Sequence, residues 1–289
     1  MMKQLIQTKC PILLCTVLVC TITLFGCKQQ SYISPDGYDI NKPQKENLGK
    51  VLNEISGVCF NDDDNTLLAI SDSKEKVFQI NINKQKLKDY TDKVVGPDTD
   101  LEDMVKADSS IYLLSSKGVI YEVSGKKDTI RRYTFPSGDQ NDFEALYYDP
   151  SVKSLIMICK KCPVDKGKDM RSAFRFDLVK KQFDPSAFFT FSTTEVKKLL
   201  KDDNAKFDPS AAAIHPINKR LYVLSSAGNL LVIADTRGKV IEAYELSAEQ
   251  FPQAEGIAFA PNGDMFITNE GKNGTPTLQM FKYHNGKNK

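Results

Sequence analysis

The sequence predicts an all-β fold, a five-bladed propeller of four-stranded antiparallel blades, on three observations. First, one pattern occurs five times: an acidic or polar pair with a small residue, a short apolar strand, a turn, and a second apolar strand ending in a polar residue. The copies start EISGVCF at Glu54, DLEDMVK at Asp100, DFEALYY at Asp142, DPSAAAI at Asp208 and QAEGIAF at Gln253. Second, they are spaced by 46, 42, 66 and 45 residues, and three of these match the length of a four-stranded blade. Third, a turn recurs after the first strand, as NDDDN from Asn61, DPSVK from Asp149, HPINK from His215 and APNGD from Ala260. Asp, Asn, Pro and Gly supply the backbone angles that such turns need. A six-bladed ring is the alternative.

Residues 1–26 read as a signal peptide. Lys3 and Lys9 precede an apolar run from Pro11 to Phe25, shorter than the roughly 20 residues of a spanning helix. The run ends Leu24-Phe25-Gly26-Cys27, which resembles a bacterial lipobox and predicts cleavage before a lipidated Cys27. The alternative is an uncleaved anchor. With the lipid, the chain is expected to attach to the membrane of a bacterial cell envelope, periplasmic or at the outer membrane, by acyl chains whose methylenes each contribute about 0.8 kcal/mol.

Residues 27–47 are expected to be a tether and closing strand, and residues 48–289 the propeller. Second strands read LLAIS, IYLLSS, SLIMICK, RLYVLSS and DMFITNE, and third strands VFQIN, VIYEV, AFRFDL, NLLVIA and LQMFKY. Fourth strands are placed at DYTDKVV, IRRYTFP, AFFTFS and VIEAYEL. The fifth blade lacks its own outer strand, and SYISPDGYDI from Ser31 is expected to supply it and close the ring. The long spacing carries an insertion in which Ser192 and Glu195 stand at capping-box distance, predicting one short helix.

The 289 residues are 41% hydrophobic and 26% charged, which excludes global disorder. Lys plus Arg is 39 and Asp plus Glu 37, too even for a nucleic-acid footprint. Loss of Lys3 and Lys9 with the signal removes the positive excess. His215 and His284 are the only histidines and Trp is absent, which leaves no His-rich zinc site. Neither G-x-S-x-G nor a Gly-rich phosphate loop occurs. His215 is read as a turn residue and Cys59 as buried packing. Cys159 and Cys162 form a C-x-x-C at a strand end, open to three readings: unpaired thiols, a local disulfide, or metal or redox work. Lys pairs at 126–127, 160–161, 180–181 and 197–198 are read as solvated surface.

The stretches ISGVCFNDDDNTLLAISD, NDFEALYYDP, DPSAAAIHP with LYVLSS, and above all PQAEGIAFAPNGDMFITNE, resemble the SdiA-regulated (YjiK-like) family of bacterial envelope proteins, with a more distant similarity to NHL-repeat propellers. The resemblance covers Leu48 to Tyr283. It implies a five-bladed propeller with a calcium ion and no established catalytic reaction, without indicating which residues hold the ion.

In a propeller the first strands line the central channel. The third repeat position is Ser56, Glu102, Glu144, Ser210 and Glu255, and the first is Glu54, Asp100, Asp142, Asp208 and Gln253. Carboxylates crowded at one channel mouth raise one another's pKa unless a cation offsets them. Oxygen-only donors favour calcium over zinc. Glu102, Glu144 and Glu255 are therefore the metal candidates, with Glu54 a fourth. Asp72, Asp100, Asp142, Lys160 and Glu270 are expected on the same ligand-facing mouth. The alternative is structural, with Asp and Ser pinning loops through backbone N–H groups; Asp208, before Pro209, suits that role and is left out of the site. Two functions follow. One is a monomeric, non-catalytic calcium-binding propeller for a protein, glycan or small ligand; the other is a calcium-dependent esterase or phosphoesterase.

Overall fold

The computed structural model describes residues 31–284, apart from 75, 83–85, 93, 97–98, 125–128, 137–139 and 272–273; Cys27 and the signal segment lie outside the described residues. Twenty strands form five separate four-stranded antiparallel sheets, a five-bladed propeller. Blade I comprises β2 (Ile55–Asn61), β3 (Thr66–Ser71), β4 (Phe78–Asn81) and β5 (Lys86–Asp89). Blade II comprises β6 (Leu101–Ala107), β7 (Ser110–Ser115), β8 (Val119–Ser124) and β9 (Thr129–Thr134). Blade III comprises β10 (Asp142–Asp149), β11 (Ser154–Lys161), β12 (Met170–Asp177) and β13 (Gln182–Ser192). The helix α1 (Thr193–Leu200) follows, and then blade IV, with β14 (Ala211–Ile214), β15 (Leu221–Ser225), β16 (Leu230–Ala234) and β17 (Val240–Glu245). Blade V comprises β18 (Ala254–Phe259), β19 (Met265–Asn269), β20 (Thr277–Phe281) and, outermost, β1 (Gln44–Asn47).

The second strands are apolar along their whole length because both of their faces are covered. In β3, Leu67 and Ala69 pack towards blade V, whereas Leu68 and Ile70 pack towards blade II. In β15, Leu221 and Val223 join the core with blade III, and Tyr222 and Leu224 the core with blade V. Alternation along a strand thus sends successive side chains to opposite neighbours, and five such clusters complete the ring. Fourth strands form the outer edge of each blade, and β9, TIRRYT, is almost wholly exposed there.

Two boundaries differ from the sequence reading. The closing strand is Gln44–Asn47, paired from Gln44↔Met280 to Asn47↔Thr277, and not the segment from Ser31. Tyr32 to Ile40 instead form an irregular clasp on the fold. Its anchor is Tyr38, whose hydroxyl donates to the Gly263 carbonyl at 2.6 Å and lies 2.7 Å from His215 Nε2. His215 Nδ1 accepts the N–H groups of Ile217 and Asn218, so the ring proton sits on Nε2 and is donated to Tyr38. Burial pushes the His215 pKa down to about 4, so this turn histidine is a neutral structural link. The second difference is β5, which occupies Lys86–Asp89 and ends where the sequence reading begins its strand. The helix forms as expected, with the Ser192 hydroxyl accepting the Glu195 N–H. Cys59 is buried and free, and Cys159 and Cys162 form a disulfide.

Strand direction defines the two ends of the channel. Each first strand begins at the mouth carrying Glu54, Asp100, Asp142, Asp208 and Gln253 and runs to the other. β1 runs in the opposite sense to the first strands, so residues 32–43 enter the fold at the end away from the acidic residues.

Candidate functional site

The acidic mouth is built by a backbone irregularity repeated round the ring. In β2, β6, β10 and β18 the register with the second strand slips between Ile55 and Gly57, Leu101 and Asp103, Phe143 and Ala145, and Ala254 and Gly256. The unpaired residue of each bulge is Ser56, Glu102, Glu144 or Glu255. A bulge leaves its extra residue out of the ladder and re-aims its side chain. Strict alternation, which would put the first and third repeat positions on one face, is therefore interrupted between them. The third-position glutamates are half-buried, whereas Glu54 and Asp100 are exposed at the rim and Asp142 is half-buried.

The second-strand ends arrive beside these starts as expected. Asp72 N–H donates to the Glu54 carbonyl at 3.1 Å, and Glu270 N–H to that of Gln253 at 3.0 Å. Lys160 pairs directly with Glu144. Asp208 forms an ion pair with Arg171 at 2.6 Å, and its charge also reaches Asp142.

Burial pushes Glu102 up to about 9, helped by the charges of Glu144, Asp100 and Asp142. Glu255 rises to about 8 through burial and the charges of Glu144 and Glu270. Glu144 rises to about 7 through burial, with Lys160 acting against the shift. Asp72 rises to about 6 through burial and the Glu54 charge, and Asp142 is raised by burial. Burial works against the Lys160 ammonium, yet its Glu144 partner prevails and its pKa is raised. Fully ionised, the ring would carry more negative charge than Lys160 and Lys161 offset.

Among the described residues no three His, Cys, Asp or Glu side chains converge closely enough to form a ready-made metal cage. The donor chemistry nevertheless fits a hard cation. Glu144 Oε2, Asp72 Oδ1 and Ser56 Oγ are buried at this mouth without a hydrogen-bond partner, and such groups call for a counter-charge or a donor. Lys160 supplies one positive charge, on the Oε1 side of Glu144.

One residue of the channel escaped the sequence reading. At the repeat position where the other blades have Gly57, Ala145, Ala211 and Gly256, blade II carries Asp103, which is 3% exposed. Its Oδ1 accepts the Met104 N–H and its Oδ2 the Leu146 N–H, both at 2.7 Å. It therefore ties β6 to β10 across the channel. Burial raises its pKa, with these N–H groups and that of Ala212 opposing the shift. Gly57 makes room for it: a Cβ there would stand 2.8 Å from Asp103 Cα. The signal was present as one charged residue in a column of small ones. One position further on, Val58, Met104, Leu146, Ala212 and Ile257 line a mainly apolar cavity of 420 Å³ at the opposite mouth, whose lining also includes Asp62, Lys106 and Lys219. The channel is acidic at one end and apolar at the other.

The sequence matches the SdiA-regulated family over residues 30–273. The chain belongs to the SdiA-regulated family. No curated protein sequence matches it. Among solved structures it is similar to a luciferin-regenerating enzyme, with 12% identity, TM-score 0.52, and coverage of 85% of this chain and 97% of the other. It is also similar to regucalcin of Agrobacterium tumefaciens strain C58, described as a calcium-binding protein, with 11% identity, TM-score 0.51, and coverage of 81% and 92%. At these identities the likeness shows a shared fold, and the ring of this SdiA-regulated protein has to be judged on its own residues.

Proposed function

We propose that this SdiA-regulated propeller is a membrane-anchored, calcium-binding protein that presents its acidic mouth to a ligand or partner and is not itself a catalyst. The observation that carries the reading is the set of bulge-aimed glutamates, Glu102, Glu144 and Glu255, pushed up to between about 7 and 9, with buried oxygens of Glu144 and Asp72 left unpartnered. A divalent cation relieves that repulsion and uses those oxygens. Regucalcin, described as calcium-binding, shares the fold, and this supports the choice of ion. The anchor is the lipid on Cys27. Because the clasp enters at the apolar end, such an anchor holds that end to the membrane and leaves the acidic mouth facing away from it.

Thermal unfolding of the full chain after chelation, with calcium then titrated back, tests the ion. A ligand that binds only the native state raises the midpoint as ln(1 + [L]/Kd). The expected result is a saturable rise in the wild type, absent in Glu102→Gln/Glu144→Gln/Glu255→Gln. A wild type indifferent to calcium ends the calcium reading. Turnover of ester or phosphoester substrates by the calcium-loaded protein would replace the binding role with the hydrolase.

A further inference from the structure

The acidic mouth has a basic neighbour. The connection between β11 and β12 forms a cavity of 480 Å³ whose lining includes Lys160, Lys161, Lys166, Lys168 and Arg171. Asp165 is the only carboxylate among its lining residues, and it is already used: it is buried, with Oδ2 accepting the Ser172 N–H at 2.8 Å and Oδ1 the Ser172 hydroxyl at 2.6 Å. Lys160 is paired with Glu144 and Arg171 with Asp208. Lys161, Lys166 and Lys168 are exposed; none forms a close ion pair among the described residues, and the Lys161 charge acts at longer range on Asp142 and Glu144. The Arg171 Nε is buried and unpartnered.

The loop that presents these charges is held in shape. The Cys159–Cys162 disulfide closes its start, Asp165 fastens its middle to β12, and the Thr193 N–H bonds to the Asp169 carbonyl at its end. Like-charged lysines on a free loop swing apart into solvent. Here a cross-linked loop keeps three exposed ammonium groups beside one cavity, where their fields add. The volume lies in the range of small-molecule sites and exceeds what a bare oxyanion fills.

We propose that this cavity binds a small organic molecule through a phosphate or sulfate ester, with the tetrahedral oxyanion held by Lys161, Lys166 and Lys168. The site lies on the face assigned above to the ligand and to that extent rests on that reading; it requires no metal.

The test is calorimetric titration of the full chain in the presence of chelator, with glucose 6-phosphate, glucose 6-sulfate, inorganic phosphate and glucose as probes. The expected order has one or both esters tightest, inorganic phosphate weaker and glucose without signal, with affinity falling as salt rises. Comparing the two esters distinguishes phosphate from sulfate. Lys161→Gln/Lys166→Gln/Lys168→Gln, at exposed positions, is expected to weaken ester binding at least tenfold while circular dichroism is unchanged. Binding of glucose as tight as its esters, no heat with either ester, or full ester binding by the triple variant overturns the proposal. Calcium titration of the same wild-type preparation, with the chelator removed, separates the two sites: calcium response without ester binding removes this cavity alone, and ester binding without calcium response removes the channel ion alone.

Discussion

At the scale of single residues the channel works by opposing pressures on protons. Glu102, Glu255 and Glu144 lose theirs at about 9, 8 and 7 when folded, against an ordinary 4.5. Between these limits the folded chain binds more protons than the unfolded one, so stability falls as pH rises through that window. His215 has the opposite sign. Its pKa is lowered from 6.5 to about 4, so the unfolded chain takes up the proton first and stability is lost as pH falls from 6.5 towards 4. The expected result is a metal-free melting temperature that declines from pH 6.5 to 9, measured by calorimetry, with the decline removed in the triple Glu→Gln variant. A melting temperature that stays level or rises over that range contradicts the buried acidic ring. Asp103 poses a different question. Asp103→Ala strands the Met104 and Leu146 N–H groups, and urea denaturation is expected to show a loss of about 2–3 kcal/mol. In the sequence Asp103 was visible as a misfit in its column, but nothing in the chain order announced that its partner was Leu146.

At the scale of elements, the blade is the unit and its bulge is the functional device. The apolar second strands, the Asp, Asn, Pro and Gly turns and the Ser192 cap were legible because each expresses a local backbone preference or a simple period. The bulges were not, because a register slip is decided by pairing with the second strand and leaves the composition of the first unchanged. The β11–β12 connection behaves as an element in its own right. Breaking its cross-link in Cys159→Ser/Cys162→Ser frees a short loop, with an expected cost of about 2 kcal/mol on the chain-entropy estimate. Denaturant unfolding of variant and wild type checks it, and equal stabilities would mean that Asp165 and the Thr193–Asp169 bond hold the loop without the cross-link.

At the scale of the whole molecule, closure gives the ring its polarity. Gln44–Asn47 completes blade V and removes an open sheet edge, while the clasp from Tyr32 to Ile40 settles at the end away from the acid ring. This predicts an orientation. Ile217, 43% exposed in a turn at the apolar end, and Val164, 44% exposed beside the acidic mouth, are matched in accessibility. With the lipidated protein on vesicles, a fluorophore on Ile217→Cys is expected to be quenched by lipid-borne nitroxides and one on Val164→Cys to be spared. The reverse pattern would mean that the acidic mouth faces the bilayer.

The sequence by itself determined the number of blades, the inner three strands of each, the turn chemistry between them, and the repeat column that carries the acidic side chains, since all of these are written in local pattern and period. Tertiary structure decided the rest. It chose which N-terminal segment closes the ring, because that depends on the free edge of β20. It turned the glutamates into the mouth by bulges, set Lys160 against Glu144, and gathered Lys161, Lys166 and Lys168 round one cavity. Each is a meeting of residues whose geometry exists only once strand has paired with strand.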